Sequence, residues 1–363
     1  MNNSKLDKAR QTINEVDAKM AELFVERMRA AEAVAEYKME RGLEIYDQLR
    51  EEEVVARNAA KIEDETLRAF YVNFLKNNMA VSRAYQSLIM QGMKVAYSGD
   101  AGAFAHIATE KLYPSAKKVA FCDFASAYRA AENGECDVAV LPIENSYNGE
   151  VGQVIDLMFS GSLYVNGIYE LPVTHDLLGV EGSSIEDIKT VVSHPQALGQ
   201  CASYISEKGY DTVEYINTAL AAKYVAGKGD KTTAAIASAE AAEIFGLTVL
   251  DHDINAQRGN TTRFAVFSRV QNKKAANETG LHSILLFTVR NEAGALARAI
   301  DVIGGYGFNM RNLRSRPMKE LLWEYYFYVE IEGNVQSEAG KDMMEALGEF
   351  CDRLKFAGTY IKL

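Results

Sequence analysis

The sequence has 363 residues, 48% hydrophobic and 25% charged, a composition that excludes intrinsic disorder and, at this length, calls for two or three domains rather than one core. It carries 39 Lys and Arg against 50 Asp and Glu, a net charge of −11, and no basic block, so nucleic acid is not expected as a partner. No apolar run is long enough to span a membrane, and the start, MNNSKLDKARQ, is too polar for a secretory leader. Cys122, Cys136, Cys201 and Cys351 are scattered with no CxxC pair, which suits reduced thiols in a cytoplasmic protein better than a disulfide framework or a zinc site.

Residues 4–90 contain no Pro and a single Gly, Gly42. Leu6, Ala9, Ile13, Val16, Met20 and Leu23 recur at spacings of three and four, which predicts one long helix ending near Arg41–Gly42. A helix of that length needs a partner along its side. Asp47 stands at the N-cap of a second helix, and Asp64 opens a third that runs to Met90. Arg27 and Lys38, eleven residues apart, point nearly the same way, whereas Arg10 lies off that face. Asp47, Arg50 and Glu51 share a face of the second helix, and Ser82 and Gln86 form an i, i+4 pair on the third. Such a set could line a pocket for a dianion; a coiled dimerisation arm with solvated charges is the alternative.

From Met93 the texture changes. Strand-like runs (KVAYSG, KKVAF, CDVAVLP, LYVNGIYELPV, TVVSHP, TVEYI, TAAIAS, RFAVFSR) alternate with helical ones, which predicts an α/β region with a mostly parallel sheet. Four loop motifs follow strand ends or enter a strand: GDAGAFAH (Gly99–His106), PIENSYNG (Pro142–Gly149), SHPQALGQC (Ser193–Cys201) and NTTRF (Asn260–Phe264). None is a GxGxxG dinucleotide loop. His106 and His194 fall inside these motifs; His175, His252 and His282 are read as satisfying backbone or surface hydrogen bonds. No histidine pair has metal-ligand spacing, and no metal or cofactor is assigned.

QNKKAANETG (271–280) reads as a polar linker. Beyond it the pattern is β-α-β-β-α-β, a small α+β domain, with Trp323 and Tyr325–Tyr328 as strand core. The expected architecture is therefore multidomain: an all-α unit (1–91), an α/β domain (93–270) and an α+β domain (281–363).

Residues 4–90 resemble the all-helical chorismate mutases, with Arg10, Arg27, Lys38, Asp47, Arg50, Glu51, Ser82 and Gln86 at the matching positions. The resemblance implies an intertwined homodimer in which Arg10 reaches the partner's site. It also implies Arg10 and Arg27 on the carboxylates of chorismate and Lys38 and Gln86 on its ether oxygen. The four loop motifs, PIEN and TRF above all, resemble the prephenate dehydratases. That implies two lobes around a cleft, Thr262 as the catalytic hydroxyl, and Asn145, Ser146, Gln196 and Asn260 around prephenate, with Glu144 a motif acid. Arg263 could bind a substrate carboxylate or form an internal ion pair, and both readings stay open. The family often has GPxGSxS or GPxGTxS where this chain has Asp100, Ala103 and Ala105. Residues 281–363 resemble an ACT domain, which implies L-phenylalanine as effector on Gly294, Ala295 and Leu296 and on Ser315, Arg316 and Pro317. Arg314 replaces the Glu of the family's ESRP motif and is expected to weaken that binding. The competing reading is a bilobal binding protein with a helical dimerisation arm.

Overall fold

The apolar spacing of the first segment produces α1 (Asn3–Arg41), which at about 1.5 Å per residue is roughly 58 Å long. The computed structural model describes residues 3–256, 259–271, 279–318 and 324–363. Most of the 271–280 linker, and Trp323, lie outside the described residues. Two compact units result, Met1–Lys94 and Val95–Leu363. Among the described residues no helix is long and apolar enough to cross a membrane.

In the first unit, α2 (Gln48–Ala59) and α3 (Glu65–Gln91) begin where the sequence places them. The Asp47 carboxylate accepts from the Arg50 N–H, and that of Asp64 from the Leu67 N–H. Buried residues are few: Met28, Ala31 and Ala35 on α1, and Met79, Ser82 and Gln86 on α3. Every residue of α1 from Lys5 to Glu26 is exposed, including Leu6, Ile13, Val16, Met20 and Leu23.

The second unit begins with β1 (Lys94–Ser98), α4 (Phe104–Leu112), β2 (Lys117–Phe121), α5 (Phe124–Glu132), β3 (Val138–Asn145), the short β4 (Gly149–Glu150), α6 (Gly152–Ser160) and β5 (Tyr164–Pro172). The chain then leaves to build a second lobe. This comprises β6 (Asp176–Gly179), β7 (Thr190–Ser193), α7 (Pro195–Gln200), α8 (Ala202–Lys208), β8 (Asp211–Glu214), α9 (Thr218–Lys228), β9 (Thr233–Ala237), α10 (Ala239–Phe245) and β10 (Thr248–Asp251). It returns as β11 (Thr261–Ser268), between β5 and β3. The C-terminal segment adds β12 (His282–Val289), α11 (Ala295–Gly305), β13 (Met310–Pro317), β14 (Tyr325–Glu332), α12 (Glu338–Gly348) and β15 (Cys351–Lys362), in the predicted β-α-β-β-α-β order.

The sheets are mixed, which corrects the expectation of a mostly parallel one. β1 and β3 pair in parallel, but β11 re-enters antiparallel to both β3 and β5. In the second lobe β7 is parallel to β8 and β9, whereas β6 runs antiparallel to β9 and β10. The C-terminal strands do not form a detached sheet. β15 pairs in parallel with β5 through Ile361–Gly167 and Lys362–Ile168, so one sheet runs in the order β13-β14-β12-β15-β5-β11-β3-β1-β2. Gly358 makes the junction possible: its φ is +138°, and a Cβ there would fall on the backbone of Val165. Tyr128, Phe267, Tyr326 and Tyr360 are fully buried in the core beneath this joint.

Candidate active sites

The helical unit brings some of the expected residues together. Arg27 donates to the Asn78 carbonyl at 3.3 Å and to the Ser82 hydroxyl, and burial lowers its pKa. Lys38 Nζ donates to the Ile45 carbonyl at 2.6 Å, fastening the α1–α2 turn. Gln86 is buried, and its Oε1 has no hydrogen-bond partner. Glu51 faces a cavity between α2 and α3 of about 750 Å³, where it is paired with Arg83, a cation the sequence reading missed. Asp47 caps α2, and Arg50 pairs with Glu53 at 2.7 Å on the surface. Arg10 stands exposed on the uncovered half of α1. Within one chain, therefore, the eight residues do not converge on one cavity.

In the second unit the four motifs do converge. A cleft of about 430 Å³ is lined from both lobes, by Ala103–Ala105, Asn145, Gln196, Gln200, Asn217, Asn260 and Thr262 among others. Register explains the meeting of the second and fourth motifs: Asn145, at the end of β3, lies opposite Thr262 on β11. Asn145 Nδ2 donates to Asn260 Oδ1 at 2.8 Å and to Thr262 Oγ1 at 3.0 Å. Its Oδ1 accepts from the N–H groups of Tyr147 and Asn148, both at 3.0 Å, which braces the turn beyond β3. The chain of amides continues, since Asn260 Nδ2 donates to Gln200 Oε1 at 3.2 Å and His175 Nε2 lies 2.8 Å from the same oxygen. Every amide in this run is thereby oriented. The Thr262 hydroxyl, accepting from Asn145, keeps its proton to donate.

His175 was not expected here. It is 3% exposed, lines the cleft, and its Nδ1 is buried without a partner. Burial lowers its pKa, against smaller upward effects of Gln200 and Asp176, so the ring is neutral at pH 7. With Nε2–H donating to Gln200, Nδ1 presents a lone pair. No motif signalled this, because His175 lies between β5 and β6, on the connection that leaves for the second lobe. His194 also lines the cleft, as the N-cap of α7, whereas His106 accepts the Gly102 N–H.

Among the described residues no Lys or Arg side chain lines the cleft. Four helices, α4, α6, α7 and α9, open onto it with their N-termini, and α4 and α6 have no side-chain cap. Free N–H groups at a helix start favour anions. Ala103 and Ala105 form an apolar wall, and Asp100 accepts from Asn217 Nδ2 at 3.0 Å across the lobes.

Arg263 points away from the cleft. It is held by Glu144 at 2.9 Å, Glu330 at 2.7 Å and the Tyr360 hydroxyl at 3.1 Å. Burial works against its charge, but Glu330 outweighs it and raises the pKa. On β13 side chains alternate. Ser315 and Pro317 are exposed, while Arg314 and Arg316 face the carboxylates of Glu144, Glu150 and Asp156. Arg314 thus meets an acid of the PIEN motif, not the open face where an effector was expected. Gly294 caps α11 with φ +79°, and Ala295 behind it is buried. Among the described residues no cluster of His, Cys, Asp or Glu could hold a metal.

Two family models match the chain: chorismate mutase type II over residues 9–87 and prephenate dehydratase over residues 95–272. A bifunctional chorismate mutase/prephenate dehydratase of Neisseria gonorrhoeae is 31% identical, over 97% of this chain and 95% of that protein. Among solved structures, the prephenate dehydratase of Arthrobacter aurescens in complex with L-Phe is 25% identical with a TM-score of 0.69, covering 74% of this chain and 90% of its own. A quorum-quenching acylase, GqqA, is similar over the same share of this chain and 98% of its own, at 31% identity and a TM-score of 0.69.

Proposed function

The chain belongs to the bifunctional chorismate mutase/prephenate dehydratases, and on that footing we propose which parts of it perform each step of phenylalanine biosynthesis. Residues 1–91 rearrange chorismate to prephenate. Residues 93–270 convert prephenate to phenylpyruvate with loss of CO2 and water. The observation that carries the second assignment is the Asn145 side chain, which holds Asn260 and Thr262 together at the cleft.

The mutase step is a pericyclic rearrangement and needs no nucleophile. Arg27, partly desolvated and fixed by Ser82, supplies a directed cation for one substrate carboxylate. Lys38 and Gln86 donate to the ether oxygen as negative charge builds there. The unpaired Gln86 Oε1 and the uncovered half of α1 support a homodimer in which Arg10 of a second copy completes the pocket.

In the dehydratase step a ring hydroxyl and a carboxylate leave together, and aromatisation drives both. Thr262, its oxygen already accepting from Asn145, donates its proton towards the departing hydroxyl within a relay. Asn260, Gln196 and Gln200 orient the substrate. Helix N-termini hold its carboxylates without neutralising them fully, and the apolar wall of Ala103 and Ala105 keeps the departing carboxylate poorly solvated. Ser146 braces the turn, its hydroxyl donating to the Gly259 carbonyl at 3.1 Å and accepting the Thr261 N–H at 3.0 Å. Arg263 serves as an internal tie.

Residues 281–363 form an ACT-type regulatory domain that takes L-phenylalanine at Gly294–Leu296 and the exposed Ser315 and Pro317; the L-Phe complex of the Arthrobacter relative supports this. Arg316 is committed to Glu150 and Asp156 and is left out of that ligand set. The four scattered cysteines, with no CxxC spacing, support a cytoplasmic location.

Incubating the protein with chorismate and following prephenate and phenylpyruvate tests the assignment. Lys38→Ala should abolish prephenate formation and spare phenylpyruvate formation from added prephenate; Thr262→Ala should do the reverse. A folded variant losing both activities would sink the two-site assignment. A wild type that forms no phenylpyruvate would leave the cleft to another reaction, such as that of the acylase relative.

A further inference from the structure

We propose that Arg314, in the C-terminal segment, is a positioning residue of the dehydratase site, acting through the β3–β4 hairpin. The inference rests on the assignment of Asn145 and Thr262 to that site.

β3 and β4 form a tight hairpin in which Glu144 lies directly opposite Glu150, and Asn145 opposite Gly149. Two carboxylates in direct cross-strand register repel and work to open a hairpin. Here the pair is bridged: Arg314 donates one guanidinium nitrogen to Glu144 and places another 3.7 Å from Glu150. Arg263 holds Glu144 from one side and Arg316 holds Glu150 from the other, but neither touches both. Arg314 is itself oriented by Asn312 Oδ1, which accepts from its Nε at 3.0 Å. The carboxylates are about three-quarters buried, so screening by solvent is incomplete.

The hairpin carries the reaction centre. Asn145 follows Glu144 immediately, and Glu150 itself lines the cleft. Opening the hairpin draws Asn145 from Thr262 Oγ1 and frees the turn that Asn145 Oδ1 braces. A strand distant in sequence thereby sets the geometry of the catalytic hydroxyl.

The test uses full-length variants assayed for phenylpyruvate formation, with mutase rate and melting temperature measured alongside. Arg314→Gln should lower dehydratase kcat by about tenfold to a hundredfold, the cost expected of ångström-scale misplacement. KM should move less than about threefold, since the substrate contacts remain, and the mutase rate should not change. Adding Glu144→Gln removes the repulsion, and the double variant should recover to within about threefold of wild type. Arg314→Lys, which keeps the charge, should lie between. A dehydratase kcat within about twofold of wild type in Arg314→Gln, or a double variant no faster than Arg314→Gln, overturns the proposal. If Arg314→Gln does not fold, the other two variants decide: both active supports the role, either as slow as Thr262→Ala overturns it. A fully active Thr262→Ala would instead remove the site assignment and leave the charge effect standing.

Discussion

Gln86 is a neutral amide buried on α3, and the donor role proposed for it has a pH signature. An amide does not titrate between pH 6 and 9, so it puts no limb on the mutase profile. Gln86→Glu should work only when its carboxyl is protonated. Burial favours that form and lifts its pKa above the usual 4.3 or so, so activity should return on the acid side. Equal activity of this variant at pH 8 would end the donor role. Asn145, Asn260 and Thr262 were legible because their motifs are contiguous and strand register brings them together. His175 was not, because a lone histidine outside a motif carries no periodic signal. Arg263 was ambiguous for another reason: alternation along a strand puts it on the opposite side from Thr262, and only the partners on that side tell a tie from a ligand.

The most informative helix is the least covered one. α1 presents an apolar stripe from Leu6 to Leu23 that is exposed in the helical unit, and Arg10 stands on the same stretch. If a second copy covers it, Arg10→Ala and Lys38→Ala chains should complement each other. The mixed dimer then has one pocket with both defects and one with neither, so activity should return on mixing. A verified heterodimer without activity would show that Arg10 serves its own chain. α2 and α3 were readable almost to their first residue, since Asp47 and Asp64 cap them. β6 and β10, DLLG and TVLD, were not read as strands.

The continuous sheet through the second unit makes its stability depend on pH. Glu330 on β14 is buried against Arg263 on β11. Burial alone would raise its pKa, but the hydrogen bond and charge of Arg263, with the Tyr360 hydroxyl, bring it below the ordinary 4.5. A depressed carboxyl stabilises the fold above its unfolded pKa, and that contribution is lost as pH falls through the folded value. The melting temperature should therefore hold near neutrality and fall below about pH 4.5, and Glu330→Gln should flatten that fall. A wild-type profile as flat as the variant's would show that the tie adds nothing. This joint was not legible beforehand, because a parallel pairing as short as that of Ile361 and Lys362 with β5 leaves no periodic trace.

The path of the chain through the first lobe also imposes an order in time. β5 ends at Pro172 and its partner β11 begins at Thr261, with the whole second lobe between them. As slack coil, that stretch adds closure entropy, though each doubling of length costs only about 0.6 kcal/mol. Pairings across such distances form late. The parallel β7–β9 core of the second lobe has nearer partners and can compact first, shortening the tether. In refolding, amide protection should appear on Val191 and Ala235 before Ala265 and Val266. On the ribosome the cleft would then be the last feature of the dehydratase lobes to exist, assembled after both its walls.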